Sequence, residues 1–338
     1  MNACTIVARN YLGFARTLAD SFAKHHPQGS FTVLLLDDLD RTVDDAAERF
    51  SVLRLDEIGI DALEQRRMAM IYDVLELATA VKPWLLRTLL ARGLDHVAYF
   101  DPDIWLLAPL EDVAGLARQR SIVLTPHVLE PMIRDGHEPS EQTILLSGIY
   151  NLGFVAVGAT EDSGRFLDWW SDRLRRDCLI AHEVGFFVDQ RWIDFVPALF
   201  DHHILRDPGV NVAPWNLPSR KLAHPNGRLL VNGEPLRFFH FSGFDPQRPH
   251  LLSKFQGRKP RISLEENPLL ADLCCRYAAA VLERGHVEAS RIPYGYSTLP
   301  DGTPVDATMR RLYRAALVAA EAAGGRPPPE PFDPDTAS

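Results

Sequence analysis

The chain has 338 residues, 46% hydrophobic and 24% charged, the balance of an ordinary soluble globular protein. Its net charge of -9 excludes a nucleic-acid binder that works through a basic surface, although a metal ion could still hold an anionic nucleotide. No apolar run of about 18 residues predicts a membrane-spanning helix, and residues 1–10 lack the basic and long apolar regions of a signal peptide. The four cysteines, Cys4, Cys178, Cys274 and Cys275, have no zinc spacing, which points to core filling in a reduced, cytoplasmic compartment.

In chain order, residues 4–8 read as a strand. Residues 12–24 read as a helix with Leu12, Ala15, Leu18, Ala19 and Phe22 on one face. A buried strand over 31–36 runs into Asp37-Asp38, and a short strand follows at 51–55. Residues 61–78 carry a helical pattern that a break could interrupt. Pro83 can open the next helix, where its missing N–H costs nothing, and that helix runs to Ala91. Strands over 96–100 and 121–124 complete a βαβα order, which predicts an α/β fold with a mostly parallel sheet flanked by helices. In the second half, 154–157 reads as a strand and 164–176 as an amphipathic helix. Segments 229–231 and 236–241 flank Asn232-Gly233-Glu234-Pro235, a hairpin signal that delivers His240 at the end of an aromatic strand. Two helical patterns, 267–284 and 306–323, precede a Pro- and Gly-rich stretch from Gly324 onward. That stretch reads as an unpacked tail or linker, so the chain could be a module of a larger protein.

The most informative stretch is Val97-Ala98-Tyr99-Phe100-Asp101-Pro102-Asp103-Ile104-Trp105-Leu106. Asp-Pro-Asp is also an ordinary turn sequence. Here, however, it sits between two apolar runs, which a surface turn seldom does. A buried strand that ends in acids brings charge to the carboxyl edge of a sheet, where open α/β sheets bind ligands. Two hard oxygen donors there suit Mg²⁺ or Mn²⁺, ions that commonly bridge phosphates.

Further segments fall in a telling order: Thr5-Ile6-Val7-Ala8-Arg9-Asn10; Lys82-Pro83-Trp84-Leu85-Leu86-Arg87; Tyr150-Asn151-Leu152-Gly153-Phe154; Val188-Asp189-Gln190; Val210-Asn211 through Trp215-Asn216; and Phe239-His240-Phe241-Ser242-Gly243. With the acidic strand they resemble GT-A glycosyltransferases, most closely the glycogenin and lipopolysaccharide galactosyltransferase type (family 8-like), over roughly residues 3 to 250 and as a divergent bacterial member. The resemblance implies a GT-A domain over 1–260, followed by a helical extension over 261–323 and the tail over 324–338. It implies a metal-dependent enzyme that moves a sugar from a nucleoside diphosphate sugar, with UDP as the nucleotide, to a hydroxyl of a glycan, a lipid-linked glycan or another acceptor. Retention of anomeric configuration and a role in bacterial surface glycans go with it.

Carried over residue by residue, Asp101, Asp103 and His240 are the metal ligands, and an imidazole in the set favours Mn²⁺ over Mg²⁺. Ala8, Asn10 and Tyr11 would hold base and ribose. Lys82, Asp101 and Gly243 would contact the rest of the donor. Asn151, Asp189 and Gln190 would face the sugar and its reacting carbon, with Gly153 allowing close backbone approach. Plainer structural roles compete at several positions: an N-cap at Asn10, a solvated lysine at 82, a helix cap at Asp189, a half-buried ring at His240. Arg87, about 140° around the helix from Lys82, is expected to face elsewhere. Trp215 is the best of the tryptophans for a sugar platform, against core packing. After Gly243 the family's Lys-Pro pair is replaced by Phe244-Asp245-Pro246-Gln247-Arg248, so Arg248 or Lys254 is left to grip phosphate.

Two rivals keep the acidic motif. A haloacid-dehalogenase-type phosphatase also ends a strand in Asp-x-Asp, but near the start of its domain and with a Thr or Val soon after the second Asp. Here about a hundred residues precede the motif and Ile104-Trp105 follow it. A catalytically inactive, binding-only module is the other rival, and an intact Asp101-Asp103-His240 set argues against it.

Overall fold

The computed structural model describes residues 1–332. Its main sheet is built from β1 (Asn2–Val7), β2 (Ser30–Leu35), β3 (Ser51–Arg54), β4 (His96–Phe100), β6 (Ile122–Pro126), β7 (Tyr150–Gly158) and β8 (His202–Ile204), while β5 (Ile104–Leu106) leaves it just after β4. The order across the sheet is β8-β6-β7-β4-β1-β2-β3. β4-β1, β1-β2, β2-β3 and β8-β6 pair in parallel, and β7 runs antiparallel between β4 and β6. The mostly parallel α/β sheet is thus as expected. All nine residues of β7 are buried, as its near-continuous apolar run requires of a strand covered on both faces.

Helices cover both faces. On one side lie α1 (Leu12–His25) and α5 (Glu111–Gln119), whose Leu12, Leu18, Phe22 and Val113 pack with Val33, Leu35, Phe100 and Phe154. On the other lie α2 (Ala62–Ile71), α3 (Val74–Ala80), α4 (Lys82–Ala91) and α7 (Glu161–Leu174), packed with Ile6, Leu34, Tyr99 and Val155, while the short α6 (Glu141–Ser147) links β6 to β7. The helical pattern over 61–78 does break, at Tyr72-Asp73. The side chain of Asp73 caps α3 by accepting from Glu76 N, and the Arg310 guanidinium donates to the carbonyls of Ala69 and Tyr72 where α2 ends.

The aromatic hairpin differs from expectation. Asn232 (φ +52°) and Gly233 (φ +91°) do turn the chain, but the hairpin strands β9 (Leu230–Val231) and β10 (Glu234–Pro235) pair over two residues each, with residues 222–223 on the far side of β9. The next strand, β11 (Phe238–His240), leaves that hairpin and pairs antiparallel with β5, placing His240 opposite Ile104. Phe238 and Phe239 are fully buried there, so the apolar payload goes to the interior and not to a surface ribbon.

The C-terminal region adds α8 (Pro268–Glu283), α9 (His286–Ala289) and α10 (Ala307–Ala323). α8 packs on α1 in a core with Phe14, Phe241 and Tyr277. In the segment from Gly324, expected to be unpacked, residues 324–326 and 329 are exposed, and contacts with the rest of the chain come from Glu330 and Phe332. Glu330 pairs with Arg66, and the Phe332 ring lies 5.3 Å from that of Tyr296. The ion pair and the contact of a half-buried ring offset part of the chain entropy that a Pro- and Gly-rich segment loses on ordering. Residues 333–338 lie outside the described residues. All four cysteines are free, and Cys275 is exposed, unlike the other three.

Candidate active site

The antiparallel course of β7 explains how distant segments meet. Phe100 at the end of β4 pairs with Phe154, so the start of β7, with Asn151 and Gly153, reaches the same edge as the acids after β4. Asp101 N donates to Gly153 O (2.7 Å), and Phe241 N donates to Asp103 O (2.8 Å). Residues 101, 103, 153 and 240 are therefore tied together through backbone.

The predicted trio converges. One ligand atom each from Asp101, Asp103 and His240 lies within 4.8 Å of the others, with His240 Nε2 at 3.7 Å from Asp101 Oδ2 and 3.2 Å from Asp103 Oδ1. Both carboxylates stay partly open to solvent (28% and 22% exposed) while the imidazole is buried. Its Nδ1 donates to Asn211 Oδ1 (3.3 Å). The Asn211 amide must present that oxygen, because its Nδ2 is spent on Thr125 Oγ1 and Asn151 Oδ1, each at 2.9 Å. The tautomer so selected turns the Nε2 lone pair toward the acids, the arrangement a metal-ligating histidine needs. Burial lowers the His240 pKa, but Asp103 and Asp101 more than offset this and hold it above its ordinary value. The site thus favours positive charge at this point, as imidazolium or as a divalent ion. Two oxygen donors and one nitrogen, open on one side, fit such an ion. Gly153 is part of the fit: a Cβ there would overlap Cε1 of the His240 ring.

Lys82 is buried and extends the charged cluster. Its Nζ lies 2.9 Å from Asp189 Oδ2 and 3.6 Å from Asp101 Oδ1, donates to Leu152 O (2.9 Å), and stands over the Tyr99 ring. The solvated-lysine alternative does not hold. Burial pulls the Lys82 pKa down, and Asp101 and Asp189 together raise it above the ordinary value. The Tyr99 hydroxyl donates to Asp101 Oδ1 (2.8 Å), which leaves Oδ2 facing His240. Asp189, also buried, is pushed up to about 6 by burial, with Lys82 pulling the other way. It stands before a short 3₁₀ turn, Gln190–Phe195, but makes no side-chain cap, so the helix-cap alternative fails too.

Gln190 is engaged at both ends. Its carbonyl accepts from Leu152 N (3.0 Å) and Asn151 Nδ2 (3.2 Å), and its amide donates to Ser147 O (2.7 Å). Asn151 also contacts His127 Nε2 (3.2 Å). His127 is held down at about 4 by burial, hence neutral, and it backs Trp215, whose Nε1 donates to His127 O. The Trp215 ring stands edge-on to His240 at 5.2 Å and is half-buried. Arg87 faces away, toward Ser171 and Asp168, as its helical position predicts.

The residues of the first loop, Ala8, Asn10 and Tyr11, make none of these contacts. Ala8 is buried. Asn10 is not an N-cap, since the residue before α1 is Tyr11 with no side-chain cap, and its Oδ1 is buried with no partner among the described residues. Tyr11 is exposed, stacks on Phe14 (4.8 Å, 18°), and lines a cavity together with Gly243, Arg248 and Lys254. Sequence reasoning missed Thr125 and His127, and it quoted Tyr99 within the acidic strand without a role. Asn211 was quoted without a role. Their signal was position: each lies within two residues of a strand end or a matched segment at this one edge.

No family model matches the chain. The uncharacterized protein YfnF of Bacillus subtilis (strain 168) is 26% identical over 249 residues, 71% of this chain and 80% of that protein. The uncharacterized protein YfnD of the same organism is 27% identical over 157 residues, 44% of this chain and 47% of that protein, so the chain spans about half the length of this second relative. Among solved structures, the galactosyltransferase LgtC in complex with donor and acceptor sugar analogs superposes with a TM-score of 0.51 at 15% identity, over 83% of this chain and 96% of that one. This likeness is one of fold, and it identifies the α/β architecture as GT-A.

Proposed function

We propose that the chain is a metal-dependent glycosyltransferase that moves a sugar from a UDP-sugar to a hydroxyl of a glycan or lipid-linked glycan, with retention. It would act in the cytoplasm and in bacterial surface glycan synthesis. The observation that carries the reading is the meeting of Asp101, Asp103 and His240 within 4.8 Å at the carboxyl edge of a GT-A sheet. The fold-mate LgtC is a galactosyltransferase and binds donor and acceptor sugar analogs, which supports the reaction class.

In this reading Asp101, Asp103 and His240 would hold Mn²⁺ or Mg²⁺, and such an ion supplies charge neutralisation for a leaving diphosphate. Lys82 holds Asp101 and Asp189 at fixed separation, both as ion-pair partners. Asp189 would bind sugar hydroxyls. Gln190, an amide, cannot serve as a nucleophile, so attack from the face of the departing phosphate is the route to retention. Asn151, anchored by Gln190 and Asn211, would orient a sugar hydroxyl.

The test is calorimetric binding of UDP in the presence of Mn²⁺. Asp103→Ala is expected to abolish metal-dependent binding, with a thermal midpoint close to that of the parent, because its carboxylate supports no core. Unchanged binding contradicts the reading. A phosphatase would instead release phosphate from a generic phosphomonoester, and a binding-only module would bind UDP-sugar without ever hydrolysing it.

A further inference from the structure

A cavity of about 450 Å³ lies between the start of α1 and the loop after β11. One wall is aromatic. Tyr11 stacks on Phe14, and the His286 ring meets Phe14 edge-on at 5.0 Å and 80°. The other side carries Gly243 with Lys254, and with Arg248, whose guanidinium lies 3.6 Å from the Asp245 carboxylate that also lines the cavity, so Lys254 is the cation left over there. A flat ring joined to an anionic group matches both walls at once.

His286 comes from α9, beyond the segments that resemble glycosyltransferases. It is 8% exposed, it lines the cavity, and its Nδ1 is buried with no hydrogen-bond partner among the described residues. A buried polar atom left unpaired is costly, and a ligand that pairs with it recovers that cost. Burial holds the imidazole below its ordinary pKa, against the pull of Asp245, and keeps it neutral, able to donate one hydrogen bond and accept one. Its position is fixed by close packing: a Cβ on Gly13 would come within 2.8 Å of the His286 Cα, so α9 is seated directly on the first turn of α1. Tyr277, from α8 of the same extension, stacks on Phe241 at 3.8 Å, and its hydroxyl is likewise buried and unpartnered.

We propose that His286 reads the base of a nucleoside diphosphate held in this cavity, with Tyr11 as its stacking face, so that the C-terminal extension sets nucleotide specificity. This rests on the donor reading above. It adds a recognition element that the segments shared with glycosyltransferases do not contain.

The experiment titrates UDP, CDP, GDP and ADP, each with Mn²⁺, into the full chain and into His286→Phe, which keeps a ring against Phe14 but has no nitrogen. The parent is expected to prefer one base by about tenfold or more, and the variant to shrink that ratio to about threefold by weakening the preferred nucleotide. Affinity for Mn²⁺-pyrophosphate is expected to stay unchanged. His286→Leu gives the same readout if the phenyl ring does not fit. A preference that survives both variants, an equal loss for all four nucleotides, or a parent with no preference overturns the role of His286 and leaves the donor reading standing. A parent that binds none of the four overturns both.

Discussion

Asn211 holds a backbone φ of +52°, a region that asparagine enters more readily than most residues, and this conformation places its amide between Asn151 and His240. Its effect on the trio is indirect: it positions His240 by fixing which ring nitrogen carries the proton. Asn211→Gly suits the same φ and removes the acceptor. It is expected to weaken Mn²⁺ affinity about 10–100-fold, the usual cost of losing a partner of a metal-ligating histidine. Calorimetry with Mn²⁺ alone measures this, and unchanged affinity contradicts the role. At this scale the acids and His240 were legible, because a charged motif between apolar runs and a histidine ending an aromatic strand stand out in one dimension. Tyr99, His127 and Asn211 were not legible in role. Their significance is a set of contacts between residues such as 125, 151 and 211, far apart in the chain.

Elements were read well where periodicity is long and boundaries are chemical. The helix over 12–24 and that opened by Pro83 appear as Leu12–His25 and Lys82–Ala91. The interrupted helix shows the value of a cap: Asp73 accepts from Glu76 N at 2.9 Å, and Glu76 reciprocates toward Asp73 N at 3.3 Å. Asp73→Ala is expected to cost about 1 kcal/mol of stability, with Asp73→Ser restoring most of it. Urea unfolding checks this, and no change in midpoint means that tertiary packing alone holds α3. The aromatic strand was misassigned for a physical reason. Asn232-Gly233 correctly signals a turn, but turn chemistry says nothing about how long the pairing lasts. After two residues, burying Phe238 and Phe239 against β5 wins over continuing an exposed ribbon.

For the whole molecule, the C-terminal extension is bound into the rest. Tyr277 and Leu273 share a core with Phe14 and Phe241, and Gly295 N donates to buried Asp37 (3.0 Å), which also accepts from Arg9 N just after β1. A chain ending at residue 260 would expose Phe14, Phe241 and Phe244, each worth about 1.5–3 kcal/mol in burial, and would leave Asp37 without one of its donors. Such a truncation is expected to lose cooperative unfolding and to bind a dye for exposed apolar surface. A cooperatively melting 1–260 fragment would instead mean that the sheet and its first helices suffice. Pattern along the chain by itself determined the α/β class, most strands and helices, and the identity of the acids and imidazole at the candidate site, because periodicity, caps and charge among apolar residues are local properties. Only the tertiary structure decided that β7 runs backwards and so brings Asn151 and Gly153 to the acidic edge, that Lys82 is buried between two carboxylates, and that a histidine from the far end of the chain lines the cavity beside Tyr11. Those outcomes depend on which surfaces find each other when long loops close, and that information is distributed over the whole chain.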